Sequence, residues 1–223
     1  MKILKLYHGS PQIIEKPIFG KGNKYNDYGL GFYCTENIDL AKEWACAEDI
    51  DGYANCYEFN TDKLKILHLS EYHILYWLTI LINNREFSIR TPIMKRSKEY
   101  LSENFMIDVA DYDIIIGYRA DDSYFSFARA FLNNEISLRQ LSYAMKLGKL
   151  GEQIVLKSKK AFDRIKFINY EKAANSIFYT KRKNRDTQAR LAFQKELESD
   201  DINGIFIRDI IRQELKENDI RKY

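Results

Sequence analysis

The chain has 223 residues, 45% apolar and 30% charged, with 35 Lys and Arg against 32 Asp and Glu for a net charge of +3. Ten Gly and three Pro beside sixteen Tyr and thirteen Phe exclude a collagen-like, low-complexity or disordered chain. The near balance of charge excludes a dedicated nucleic-acid binder. Three cysteines without a CxxC pair argue against a disulfide framework and for a reducing, cytoplasmic setting.

Residues Ile3 to Tyr7 read as a short strand that His8-Gly9-Ser10-Pro11 breaks. Pro17 to Asn26 is a loop, and Tyr28 to Thr35 a turn entering a strand. Thr35 or Asn37 caps a helix with Ile38, Ala41, Trp44 and Ala45 at helical spacing. Tyr53 to Phe59 and Leu64 to Leu69 read as two strands of a hairpin or meander. Tyr72 to Asn83 is an apolar helix. Its Ile74–Ile82 run is about half of a membrane span, and the N-terminal apolar run is too short for a signal peptide. No membrane association is expected.

Asn84 to Glu103 reads as loop and helix, and Tyr112 to Tyr118 as a buried strand of β-branched residues. The Arg119–Ser123 loop precedes helices over Tyr124–Leu132 and Leu138–Lys146, the second capped by Ser137. Gln153 to Lys157 is a strand, Ser158 caps a short helix over Lys159–Arg164, and Lys166 to Asn169 is an edge strand. The basic run Lys181–Arg185 precedes an amphipathic helix over Asp186–Leu197 and a charged helix over Ile205–Lys216. A boundary near residue 170 divides a catalytic domain, 1–170, from a helical, charged extension, 171–223.

No GxxxxGK[ST], HExxH, G-x-S-x-G or Cys/His zinc spacing occurs, and three His cannot build much of a metal site. A metal-independent site is expected. Three segments carry the remaining chemistry: Tyr7-His-Gly-Ser10, Gly29-Leu-Gly-Phe-Tyr-Cys-Thr35 with Trp44, and Gly151-Glu-Gln-Ile-Val-Leu156. A glycine after a strand lets a ligand approach the backbone, so Gly9 can grip a planar carboxamide. His8 supplies a neutral donor or acceptor for a ribose hydroxyl. Tyr33 and Trp44 offer flat faces for a heteroaromatic ring. Together these are the parts of a dinucleotide pocket.

In that order the motifs resemble ADP-ribosyltransferases of the diphtheria-toxin and poly(ADP-ribose) polymerase branch, with their His-Tyr-Glu triad. More closely, Leu6–Ser10, Asp27–Thr35, Tyr118–Asp122 and Gly151–Val155 are similar to a bacterial family with that fold, whose members are often encoded beside a small partner. The resemblance covers residues 4 to 168. It implies an α+β fold, two small antiparallel sheets splayed around an NAD cleft with flanking helices. It implies transfer of ADP-ribose from NAD to a macromolecular acceptor, protein or nucleic acid, by the toxin of a toxin–antitoxin pair. A small antitoxin would be the partner, and the C-terminal basic helices would engage it or the target.

Residue by residue, the resemblance gives His8 the adenosine-side ribose, Gly9 the carboxamide, Tyr33 the nicotinamide stack and Trp44 the second stacking face. Ser10, Gly31, Phe32 and Thr35 belong to the same cofactor-binding segments. Arg119 would contact the pyrophosphate, with Asp121 beside it. The third triad position is Glu152 by the polymerase pattern and Gln153 by the bacterial one. Adjacent strand residues point to opposite faces, so only one faces the ligand. Glutamine carries no charge and takes no proton, so a second base is then needed, for which Asp121 and Asp122 are candidates. The rival reading is a module that binds NAD or ADP-ribose without turnover.

Overall fold

The computed structural model describes residues 3–120, 122–147, 151–198 and 201–220. Two sheets organise it, one of three strands and one of four. The first holds β1 (Ile3–Ser10), β3 (Gly52–Asn60) and β7 (Ile165–Ala173), all antiparallel. The strand expected to stop at Tyr7 runs on to Ser10, because His8, Gly9 and Ser10 still pair with Asn55, Ala54 and Tyr53.

The second sheet holds β2 (Phe32–Cys34), β4 (Ile66–His68), β5 (Ile114–Tyr118) and β6 (Glu152–Leu156). Here the hairpin expected from residues 53–69 is corrected. β3 and β4 lie in different sheets, and β4 pairs parallel with β5, so this sheet is mixed rather than antiparallel. Leu67 is buried among the apolar residues that flank the β5 run, a placement that β3 could not supply. The sheets join at one bridge, where Tyr7 and Thr35 exchange N–H···O bonds of 2.8 and 2.9 Å.

Helix α1 (Ile38–Ala45) is capped by Asn37, whose Oδ1 accepts from the N–H groups of Asp39 and Leu40. Helix α2 (Ile74–Asn84) is apolar nearly all round and therefore buried, with Trp77 fully enclosed. Helix α3 (Pro92–Asn104) packs on it, α4 (Asp122–Leu132) packs on α3, and α5 (Leu138–Ala144), opened by a Ser137–Gln140 capping box, packs on α4 in the same core. Helix α6 (Lys159–Phe162) leads into β7.

The boundary expected near residue 170 falls inside β7. Beyond it α7 (Asn175–Glu198) is one continuous helix that includes the basic run, followed by α8 (Ile207–Arg212) and α9 (Glu217–Ile220). The helix expected over 205–216 is thus only the six-residue α8, and α9 begins beyond it. Ala189, Phe193, Ile207, Ile210 and Ile220 are buried in the same core as Trp77 and Phe131. Arg185 of α7 grips Glu43 of α1 with two bonds of 2.6 and 3.0 Å. The extension is therefore a wall of the main core. No described helix is long and apolar enough to cross a membrane. Cys34, Cys46 and Cys56 are buried free thiols.

Candidate functional site

Where the sheets part beyond the Tyr7–Thr35 bridge, a cavity of about 510 Å³ opens. That volume lies in the range of small-molecule sites, roughly 300–1,000 Å³. His8, Gly9, Gly31, Phe32, Tyr33, Trp44, Arg119 and Gln153 all line it.

His8 is fixed first. Its Nδ1 lies 2.6 Å from the main-chain oxygen of Tyr33. A carbonyl only accepts, so Nδ1 carries the hydrogen and Nε2 is the acceptor of a neutral ring. Burial pushes the imidazole below its ordinary 6.5, against the opposing pull of that hydrogen bond. Phe32 stacks on the ring at 4.3 Å.

Gly9 is demanded by packing as well as by any ligand. A Cβ there would sit 2.1 Å from the Ala41 oxygen of α1 and 2.8 Å from the Ala45 nitrogen. Tyr7 spends both backbone groups on Thr35. Backbone groups alternate sides along a strand, so those of Gly9, two residues on, are directed to the same edge, where the cavity lies.

Tyr33 offers its ring and not its hydroxyl. The O–H donates to the Gly29 oxygen at 2.5 Å and accepts from the Tyr28 N–H at 3.1 Å. Burial raises the phenol far above its ordinary pKa, so it remains a neutral donor. Gly29 makes this loop possible with φ +71°, the left-handed region that favours glycine. Trp44 faces the cavity from α1, and the Arg119 guanidinium lies over its ring at 3.8 Å.

The pleat separates Glu152 from Gln153. Glu152 is exposed at the start of β6, whereas Gln153 is 2% exposed and lines the cavity. Its Nε2 donates to Asp27 Oδ2 at 2.8 Å and to the Tyr118 oxygen at 3.2 Å. Two acceptors on one side assign the amide, with nitrogen toward them and Oε1 turned away.

Ser10 and Thr35 do not line the cavity. Ser10 is buried and accepts from the Gln12 N–H, and Thr35 is buried at the bridge and accepts from the Asn37 N–H. Asp121, and the side chain of Asp122, lie outside the described residues.

Two cavity-lining residues, Asp27 and Arg85, were not singled out as site residues by the sequence. Asp27, 4% exposed, receives Arg85 Nε on Oδ1 at 2.7 Å, and Gln153 together with the Ala120 N–H on Oδ2. Arg85 also donates to the Ala120 oxygen. The only local signal was an isolated acid opening an aromatic and glycine-rich run. The loop before it contributes Lys16 and Lys21 to the lining. With Arg85 neutralising Asp27, the cavity wall is electropositive and suits an anionic ligand.

Fold and site together define an α+β protein with a ligand-sized, cationic cavity where two sheets meet. The chain belongs to the family described as "Protein of unknown function (DUF3990)", whose model matches residues 4–167. That span holds every lining residue named above and ends inside β7. No curated protein and no solved structure matches the chain.

Proposed function

We propose that the protein is an ADP-ribosyltransferase that takes NAD as donor and modifies a macromolecular acceptor. The observation that carries this reading is convergence. His8 and Gly9 from β1, Tyr33 from β2, Trp44 from α1 and Gln153 from β6 line one cavity. NAD supplies a ribose–nicotinamide bond whose electron pair leaves with the cationic ring, and the acceptor bonds to the ribose carbon. His8 Nε2 accepts from a ribose hydroxyl. The Gly9 edge pairs with the carboxamide, the Tyr33 ring stacks on nicotinamide, and Arg119, Lys16 and Lys21 face the diphosphate. Gln153 Oε1 accepts from the nicotinamide-side ribose hydroxyl.

A glutamine there takes no proton, so the acceptor is already nucleophilic or brings its own base. The setting that fits is the toxin of a bacterial toxin–antitoxin pair, restrained by a small antitoxin. One observation favours the rival, a module that binds NAD without turnover. The third position holds an amide, and both oxygens of the nearest carboxylate, Asp27, are engaged.

The test is incubation of the purified protein with labelled NAD and a bacterial lysate, with and without nuclease. A His8→Ala/Tyr33→Ala variant is the control. Label on protein or nucleic acid that disappears in the control supports transfer and names the acceptor class. NAD binding without label leaves the binding module. Neither label nor binding sinks both readings.

A further inference from the structure

We propose that Asp27 is the positioning residue of the third site position: it holds the Gln153 amide in one orientation and dictates that an amide, not a carboxylate, stands there. The role assigned to Gln153 Oε1 rests on the proposed function; the pairing itself does not.

Among the described residues, both oxygens of Asp27 are engaged. Asp27 Oδ1 is taken by Arg85, and Oδ2 by the Ala120 N–H at 2.9 Å and Gln153 Nε2 at 2.8 Å. Among the described residues, the Asp27 carboxylate meets one guanidinium and a neutral amide. A buried carboxylate is stabilised by donors on both oxygens, and among the described residues Gln153 supplies the one that Arg85 and the Ala120 N–H do not. The Tyr118 oxygen makes the same demand from the other side, since it too accepts from Nε2.

Gln153→Glu replaces an amide with two hydrogens by a carboxyl with at most one, so it cannot serve both acceptors. It also sets a second carboxylate at hydrogen-bond distance from Asp27; like charges that close cannot both ionise, so the pair must take up a proton at neutral pH, at a cost in stability. The amide is therefore the partner that Asp27 requires. Asp27 acts on any ligand only through Gln153, by turning Oε1 toward the cavity.

Urea unfolding of wild type, D27N, Q153E, Q153M and the double variant D27N/Q153E tests this. Q153M deletes the donor without adding charge. Q153E should be less stable than Q153M by about tenfold or more in the unfolding equilibrium. D27N/Q153E should be more stable than the sum of its single losses predicts, by a similar factor. Q153E as stable as Q153M, or strictly additive losses, overturns the proposal. The Q153E–Q153M comparison stands even if D27N does not fold.

A second cycle reads the site by NAD titration of tryptophan fluorescence, using folded variants. D27N and Q153M should each weaken NAD by a similar factor, and D27N/Q153M no further, because the two act as one unit. Independent, additive losses in affinity would make Asp27 scaffold only and overturn its positioning role. If the stability coupling holds while wild type binds no NAD, the pairing stands and the proposed function falls.

Discussion

The Nδ1–H of His8 and the main-chain oxygen of Tyr33, 2.6 Å apart, tie the two sheets together at the mouth of the cavity. The bond does two things at once. It holds β1 against β2 just beyond their backbone bridge, and it selects the tautomer that leaves Nε2 as an acceptor.

The first prediction follows from the titration of this ring. Its folded pKa lies below the unfolded 6.5, so below pH 6.5 the unfolded chain binds the extra proton more readily. Stability contributed by neutral His8 is complete above that pH and is lost as pH falls through 6.5 toward the folded value. His8→Asn places an amide N–H near Nδ1 and deletes Nε2. It should hold stability at pH 7.5 within about 1 kcal/mol, flatten the melting temperature between pH 5 and 7, and abolish NAD binding. An unchanged acid slope in this variant would mean that another group carries it.

Tyr33 separates ring from hydroxyl. Tyr33→Phe leaves the Gly29 oxygen and the Tyr28 N–H without their partner, at a cost of about 1–3 kcal/mol. The ring face survives, so NAD affinity in the folded variant should fall less than threefold, an order-of-magnitude expectation from ring stacking. Tyr33→Ala should lose binding altogether. Equal losses in the two variants, read by calorimetric titration, would place the ligand on the hydroxyl instead.

Much of this was legible locally. The Asn37 and Ser137 caps, the buried β5 run and the apolar α2 are short-range signals, and each formed where its residues indicated. Three of the segments that line the cavity were legible too, from glycines and aromatic residues clustered at strand ends. Partner choice was not. The strand at Ile66–His68 carries nothing that distinguishes antiparallel pairing with β3 from parallel pairing with β5, since period-two alternation serves both. Asp27 opens one of the motifs, but its partners were illegible for the same reason. Its partners Arg85 and Gln153 lie 58 and 126 residues away, and only the closed fold makes it a hub.

Gly9 lines the cavity, and packing gives it a separate reason to be glycine. Helix α1 crosses β1 so closely that any Cβ meets backbone, which cannot rotate away as a side chain would. Gly9→Ala should therefore push α1 off the sheet and lower stability by about 3 kcal/mol, the upper end of overpacking costs. Trp44 rides on that helix, so its emission should shift as well. A folded Gly9→Ala protein with wild-type urea midpoint would show that α1 yields freely.

The last prediction concerns where the working protein ends. The family match stops at residue 167, and a catalytic fragment ending near 170 looks self-sufficient from sequence. Such a cut removes the β7 residues that pair with Gly52, Tyr53 and Ala54. It also strips Phe193, Ile207, Ile210 and Ile220 from the core, including the Phe193 ring 4.0 Å from Phe127. Burying each such side chain contributes about 1.5–3 kcal/mol, so four amount to roughly 6–12. A whole domain has only about 5–15 kcal/mol of stability to lose. A 1–170 fragment should therefore be aggregated or unfolded by gel filtration and circular dichroism. A cooperative unfolding transition in that fragment would show that α7 to α9 cover a core already complete without them.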